Sequence, residues 1–318
     1  MTRHSDGRRP APLPRAPEWL PRWCDDNLGA EPTRLLFATH SISAVYGLRL
    51  TDRREVVVKA RPDDGRAAPC VTAQAALAAR GFPCARPLTP VLREGHLAVH
   101  AEEYRPGGDL LRGDSPAIAR RYATVFARLA GELAELKVPA PLPNPRWSRW
   151  DHRDPGLWPA IPELDARDQR AVPDFVVEAA ARARARLLAA DLPCVLGHAD
   201  FEAQNLRWHG GDIGVVHDWD SLAWQPEAAL AGAASGSFAG ESPSTLAPIE
   251  SSAAFLTEYQ KLRGRRFSVE ECEVAWAAGV WPAAHNARWE YLHGDEPLCG
   301  KGLRAQAAER LRRAGAGR

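Results

Sequence analysis

The hydrophobic period of this 318-residue chain changes once, at a Pro-Gly-Gly break. Before the break, apolar residues come in short runs: "TRLLFATH" (33–40), "SAVYGLRL" (43–50), "REVVVKA" (54–60), "RPLTPVL" (86–92) and "HLAVHAEEY" (96–104). Such runs, rich in β-formers and separated by turn residues such as Thr51 to Arg53 and Glu94-Gly95, predict strands. One Ala-rich segment near 67–80, stopped by Gly81 and Pro83, predicts a helix among them, and a short helix over 17–29 precedes them, ending at Gly29. Pro106-Gly107-Gly108 cannot continue a strand. Beyond it Ile118, Tyr122, Val125, Leu129, Leu133 and Leu136 recur at helical spacing. The expectation is an α+β molecule of two lobes: a small lobe with an antiparallel sheet over 17–105 and a larger, mostly helical lobe over 106–318. Further helices are expected at 173–190 and near 226–237, 247–263, 269–287 and 303–314. Residues 137–172 carry seven prolines and three tryptophans and predict a long irregular insert.

Composition narrows the function classes. A net charge of +1 supplies no global field for nucleic acid or a membrane surface, and no apolar run approaches the ~18 residues that span a bilayer. The basic, Pro-rich residues 1–16 lack an apolar segment, so they predict a disordered tail rather than a signal peptide. Six cysteines lie far apart without a Cys-x-x-Cys pair, against a zinc ribbon or disulfide scaffold and in keeping with a reducing, cytoplasmic setting. Of the 41 basic side chains only four are lysines (Lys59, Lys137, Lys261, Lys301), so each lysine is informative. The tail-helix arginines 304, 310, 312 and 313 are expected on a solvated face.

The chemistry concentrates in "VLGHADFEAQNLRWHGGDIGVVHDWD" (195–220). A two-metal hydrolase could claim His198, Asp200, His217 and Asp218. Such sites usually gather ligands from several separate segments, and that reading leaves Asn205 unemployed. Phosphoryl transfer uses the whole set: Asp200 to accept the hydroxyl proton, Asn205 five residues on and Asp218 on the next hairpin to hold Mg²⁺. His198 fits a loop brace better than a base. Asp220 divides evenly between fixing the hairpin and facing substrate. His96, His100 and His209 fit packing or surface roles.

Here the chain resembles the aminoglycoside phosphotransferase family of small-molecule kinases, whose fold is like that of protein kinases. The family's His-Gly-Asp-x-x-x-x-Asn loop stands as His198-Ala199-Asp200 through Asn205, and its Asp-Trp-Asp/Glu metal motif as Asp218-Trp219-Asp220. The resemblance implies a bilobal kinase-like fold, ATP or GTP with Mg²⁺ as cofactors, and a hydroxyl of a small molecule as acceptor. It implies a phosphate-facing lysine on the third strand, which Lys59 supplies, and a phosphate loop near 38–47, where Ser41 and Ser43 stand. In "EEYRPGG" it implies that the Glu103 carbonyl and the Arg105 N–H meet the purine edge. The family's helical Glu partner for that lysine is missing, because no glutamate occurs between Glu55 and Glu94. Either Gln74 bonds Lys59, or an acid comes from elsewhere. Ala199 in place of Gly requires a negative φ there.

The acceptor is expected against the C-terminal helices, where Glu241, Trp289 and Glu290 are the candidates. Residues 241–300 mix acids, rings and bases, no strong trap for a polycation. An aminoglycoside, or a sugar- or nucleoside-type antibiotic, is the expected acceptor, and the protein a monomer or homodimer. The alternatives are a kinase of a primary metabolite such as a sugar or amino alcohol, and a pseudokinase-like nucleotide-binding module.

Overall fold

A computed structural model describes residues 16–40, 43–138, 140, 142–238 and 246–317. The expected tail (Ala16 excepted) and the candidates Ser41 and Glu241 lie outside the described residues. Helix α1 (Trp19–Leu28) ends at Gly29, and strands β1 (Pro32–His40), β2 (Ala44–Leu50) and β3 (Glu55–Pro62) follow as a meander. Helix α2 (Ala67–Ala79), β4 (Leu92–Glu94) and β5 (Leu97–Glu103) complete a five-stranded antiparallel sheet of order β1-β2-β3-β5-β4.

Strand alternation sends successive side chains to opposite faces. Tyr46, Leu48, Val56, Val58, Val99 and Ala101 pack with Leu20, Trp23 and Cys24 of α1 in a core of their own. The other face carries Lys59, Arg61, His100 and Glu102, with Ala67, Cys70 and Gln74 of α2 nearby. Of the strand expected over 86–92, only Leu92 enters β4, and residues 86–91 lie outside it. Pro87 and Pro90 lack the N–H groups that a ladder needs.

At the break Gly107 and Gly108 have φ of 89° and 79°. A Cβ on Gly108 would lie 2.9 Å from that of Arg207, so this position needs glycine twice over. Then come α3 (Pro116–Ala134), α4 (Pro162–Asp165), α5 (Asp174–Leu188), β6 (Cys194–His198), β7 (Leu206–His209), β8 (Asp212–Val216) and β9 (Leu222–Pro226). Four helices follow: α6 (Glu227–Ser237), α7 (Ile249–Leu262), α8 (Val269–His293) and α9 (Leu298–Arg313). Ser115 caps α3 by accepting the Ile118 N–H, and the apolar face of α3 places Tyr122, Phe126 and Leu129 against Phe201, Phe238, Phe255 and Tyr259. The arginine face of α9 is only partly solvated. Arg312 and Arg313 pair with Glu309, whereas Arg310 is fully buried and donates to the Ala247 carbonyl and Ser252 Oγ.

Candidate active site

β6 pairs with β9 antiparallel, His198 opposite Leu222, which sets the loop after β6 beside the turn before β9. Two backbone bonds join them: Ala199 N–H to the Ser221 carbonyl (2.9 Å) and His217 N–H to the Asn205 carbonyl (2.8 Å). His198 Nε2 donates to the His217 carbonyl at 3.1 Å, and its Nδ1 accepts the Asp200 N–H at 3.3 Å. That pattern requires the neutral ring with its proton on Nε2. Burial enforces it, taking the pKa down to about 4. The imidazole therefore braces the loop. Asn205 Nδ2 donates to both the carbonyl and Oδ2 of Asp200, at 2.9 Å each, leaving Asn205 Oδ1 as the remaining acceptor. Ala199 is absent from the left-handed residues, whereas Asp218 is among them at φ 62°. Asp is one of the few side chains that tolerate that region, and Asp218 Oδ2 accepts the Ser221 hydroxyl at 2.8 Å.

The sheet supplies the facing side. Lys59 on β3 and Glu102 on β5 form an ion pair at 3.1 Å, with side chains 13% and 4% exposed. The acid is thus not on α2 at all. β3 and β5 set Lys59 opposite His100, and Glu102, two residues along, shares their face. Gln74, the helix residue considered as a direct partner of Lys59, donates from Nε2 to Glu102 Oε2 and to the Ala85 carbonyl, at 2.8 Å each. It positions the acid that holds the lysine. Burial disfavours the Lys59 ammonium, but Glu102, Asp220 and Asp218 outweigh it and keep it protonated above its usual range. Glu102, despite its burial, stays below the usual carboxylate range through Lys59. Glu102→Ala would leave that ammonium without its main partner. The expected loss is about 3 kcal/mol, the low end for breaking a buried pair, because Asp218 and Asp220 still face Lys59. A shift in the denaturant midpoint measures it.

Asp220 neither fixes the hairpin alone nor stands free toward substrate. It accepts Ser43 Oγ at 3.1 Å and Arg61 Nη1 at 3.0 Å, tying the sheet lobe to the helical lobe. Burial would raise its pKa; Lys59, Arg61 and Ser43 hold it below the usual range. Asp200 and Asp218 go the other way. Burial, then Glu202, pushes Asp200 up to about 7, and burial, then Asp220 and Asp200, pushes Asp218 well up. Crowded carboxylates of this kind lack positive charge, and a divalent cation held by Asp218 and Asn205 Oδ1 fits the deficit. Among the described residues no three His, Cys, Asp or Glu form a cage for a metal by themselves.

These residues border a cleft of about 680 Å³, lined by Ser43, Lys59 and Arg61 from the sheet and by Asp200, Asp218 and Asp220 from the helical lobe. Its remaining wall is the Pro- and Trp-rich insert, from Pro143 to Asp154. The acceptor candidates near the C-terminal helices do not line it. Buried Glu290 accepts the N–H groups of Cys299 and Gly300 at the start of α9 (2.8 and 2.9 Å), and half-exposed Trp289 stacks on His293. At the hinge, Glu103 N–H donates to the Arg86 carbonyl (2.9 Å), its carboxylate pairs with Arg86, and Arg105 is exposed. Neither Glu103 nor Arg105 lines the cleft.

No curated protein sequence matches the chain. Among solved structures it is similar to an amicoumacin kinase in complex with AMP-PNP and Ca²⁺, at 12% identity and a TM-score of 0.62, covering 90% of each chain. It is also similar to an aminoglycoside phosphotransferase from Alicyclobacillus acidocaldarius (14% identity, TM-score 0.52, covering 97% of this chain and 96% of that one). A third similar structure is an ethanolamine kinase from Plasmodium vivax (14% identity, TM-score 0.50, covering 89% and 83%). At such identities the likeness is one of fold, the bilobal protein-kinase-like α+β architecture. The profile of the phosphotransferase enzyme family, APH, matches residues 36–265, most of the chain. The chain belongs to this family and is a small-molecule kinase that transfers phosphate to a hydroxyl group.

Proposed function

We propose that the chain moves the γ-phosphate of ATP, or of GTP, to a hydroxyl of a small hydroxylated compound, with Mg²⁺ as the metal. One observation carries this reading: the Lys59–Glu102 pair faces Asp200 and Asp218 across a single cleft. In these roles Lys59 and Ser43 hold phosphate oxygens, Asn205 and Asp218 hold the metal, and Asp200 orients the acceptor hydroxyl and takes its proton. Bound Mg²⁺ neutralises charge on the transferring phosphate. The Glu103 carbonyl and the Arg105 N–H take the purine edge. The six unbridged cysteines fit a reducing compartment, the cytoplasm, and among the described residues no helix is long and apolar enough to cross a membrane.

The likeness to an amicoumacin kinase supports an antibiotic as acceptor, and hence a resistance or self-protection role. The likeness to an ethanolamine kinase supports a second reading, a kinase of a small metabolite. The test is incubation with γ-labelled ATP and Mg²⁺ across aminoglycosides, nucleoside and sugar antibiotics, sugars and amino alcohols. Label on one acceptor, matched by ADP and abolished by EDTA, is the expected result. Nucleotide binding with no product on any acceptor would favour a binding-only module, and phosphoester hydrolysis without ATP would overturn both.

A further inference from the structure

The insert forms a built wall, although its backbone is irregular. Asn144 exchanges two hydrogen bonds with the backbone of Trp224 on β9 (2.8 and 2.7 Å). Arg184 of α5 donates to the carbonyls of Trp150, His152 and Gly156. Arg288 of α8, 2% exposed, grips Asp165 at 2.7 Å and Gln169 and lies over the Trp158 ring. The backbone of this wall is therefore anchored by hydrogen-bonded and packed partners from α5, α8 and β9.

The charge of the wall is the opposite of what a polycationic acceptor needs. It presents Arg146, Arg149 and Arg153 against one carboxylate, Asp154, which is occupied by the Ala160 N–H at 2.8 Å. Arg149 touches only Asp151 among the described residues, in an exposed pair at 3.2 Å, and such pairs exchange readily. Arg153 is exposed and makes no hydrogen bond or ion pair among the described residues. The arginines of the sheet side are anchored inward: Arg61 pairs with Asp220 and Asp64, and Arg66 donates from Nη2 to the carbonyls of Asp220 and Leu222, its other guanidinium nitrogens being buried. In a transfer with attacking and leaving oxygens in line, the acceptor enters on the side of the phosphate away from the nucleotide. Of the cleft's walls, the insert is the one supplied neither by the sheet nor by the carboxylates of the helical lobe.

We propose that the acceptor carries an anionic group, a carboxylate or a phosphate ester, which Arg149 and Arg153 bind while its hydroxyl lies at Asp200. Guanidinium groups match both anions bidentately, whereas each ammonium of an aminoglycoside would enter this wall without a partner. The proposal rests on the phosphotransfer reading above and narrows its acceptor.

Calorimetry on the full chain saturated with Mg²⁺ and AMP-PNP tests it, with D-glycerate and glycerol 3-phosphate as anionic probes, glycerol as the uncharged one and tobramycin as the polycation. The two anions separate carboxylate from phosphate recognition. At least one anion is expected to bind about tenfold or more tighter than glycerol and tobramycin. Arg149→Ala/Arg153→Ala is expected to weaken it about tenfold or more, with AMP-PNP affinity unchanged within about twofold. Both side chains are on the surface, and an unchanged melting temperature verifies the fold. Glycerol or tobramycin binding as well as the anions would overturn the proposal. So would a variant that loses AMP-PNP instead, which would give the arginines to the nucleotide. A wild-type chain that binds no Mg²⁺–AMP-PNP is a different result, and overturns the kinase reading beneath it.

Discussion

Asp200→Asn is expected to lower the turnover of phosphate transfer by about 10²–10⁴-fold while leaving the KM for ATP within a few-fold. The substitution keeps shape and removes only the charge and the proton-accepting oxygen. The bond from Asn205 Nδ2 to Oδ2, at 2.9 Å, can be kept by the amide oxygen, so the loop braced by His198 keeps its form. The loss therefore reads the step at the acceptor hydroxyl rather than a collapse of the site. Steady-state kinetics on the acceptor found in the labelled-ATP screen measures it. A turnover within about threefold of wild type would remove Asp200 from the proposed role.

Asp218→Asn carries two opposite effects. Activity is expected to fall by on the order of 10²-fold or more, because a metal-binding carboxylate becomes a neutral amide. Stability of the metal-free protein is expected to rise. Burial, with Asp220 and Asp200 beside it, raises the folded pKa of Asp218 well above its unfolded value. The sign follows: protons are bound more tightly in the folded state, so the favourable contribution is present at low pH and lost as pH rises through the folded pKa. The cost of holding Asp218 in the empty site therefore grows as pH rises above its unfolded pKa, and Asn removes that cost. Asn also tolerates the left-handed φ of 62° and can still accept the Ser221 hydroxyl. Melting curves without metal should show the variant above wild type at pH 8, with the gap closing toward pH 5. A variant that is less stable at pH 8 would contradict the charge-crowding account.

The residues that the chain's spacing brings together are mostly local ones. Asp200, Asn205 and Asp218 fall on one loop and the next hairpin, and Lys59 lies within a strand that its valines announce. The acid that holds Lys59 depends on which strand lies beside β3 and in what register. Nothing near Glu102 in sequence says that it faces Lys59 rather than closing the hinge. Only the antiparallel pairing of β3 with β5 does. Strand β9 is hard to read for a similar reason: "LAWQP" has no strong pattern, and its partner β6 starts 28 residues earlier, at Cys194 against Leu222. The insert was opaque because prolines erase periodicity, and its shape comes from distant donors, Arg184 and Arg288. Glu290, a candidate for the acceptor pocket, instead accepts two N–H groups at the start of α9. Arg310 looked solvated and proves to be buried with carbonyl and hydroxyl partners.

On this reading the Lys59–Glu102 ion pair of the sheet and the carboxylates of the helical lobe form one metal-dependent phosphate site. Titration of the full chain with AMP-PNP, with and without Mg²⁺, tests it most directly, on wild type and on Asp218→Asn. The account predicts one nucleotide per chain in wild type, with affinity lowered about tenfold or more when Mg²⁺ is withdrawn or Asp218 is replaced. Equal affinity with and without the metal, or no binding by wild type, would contradict it.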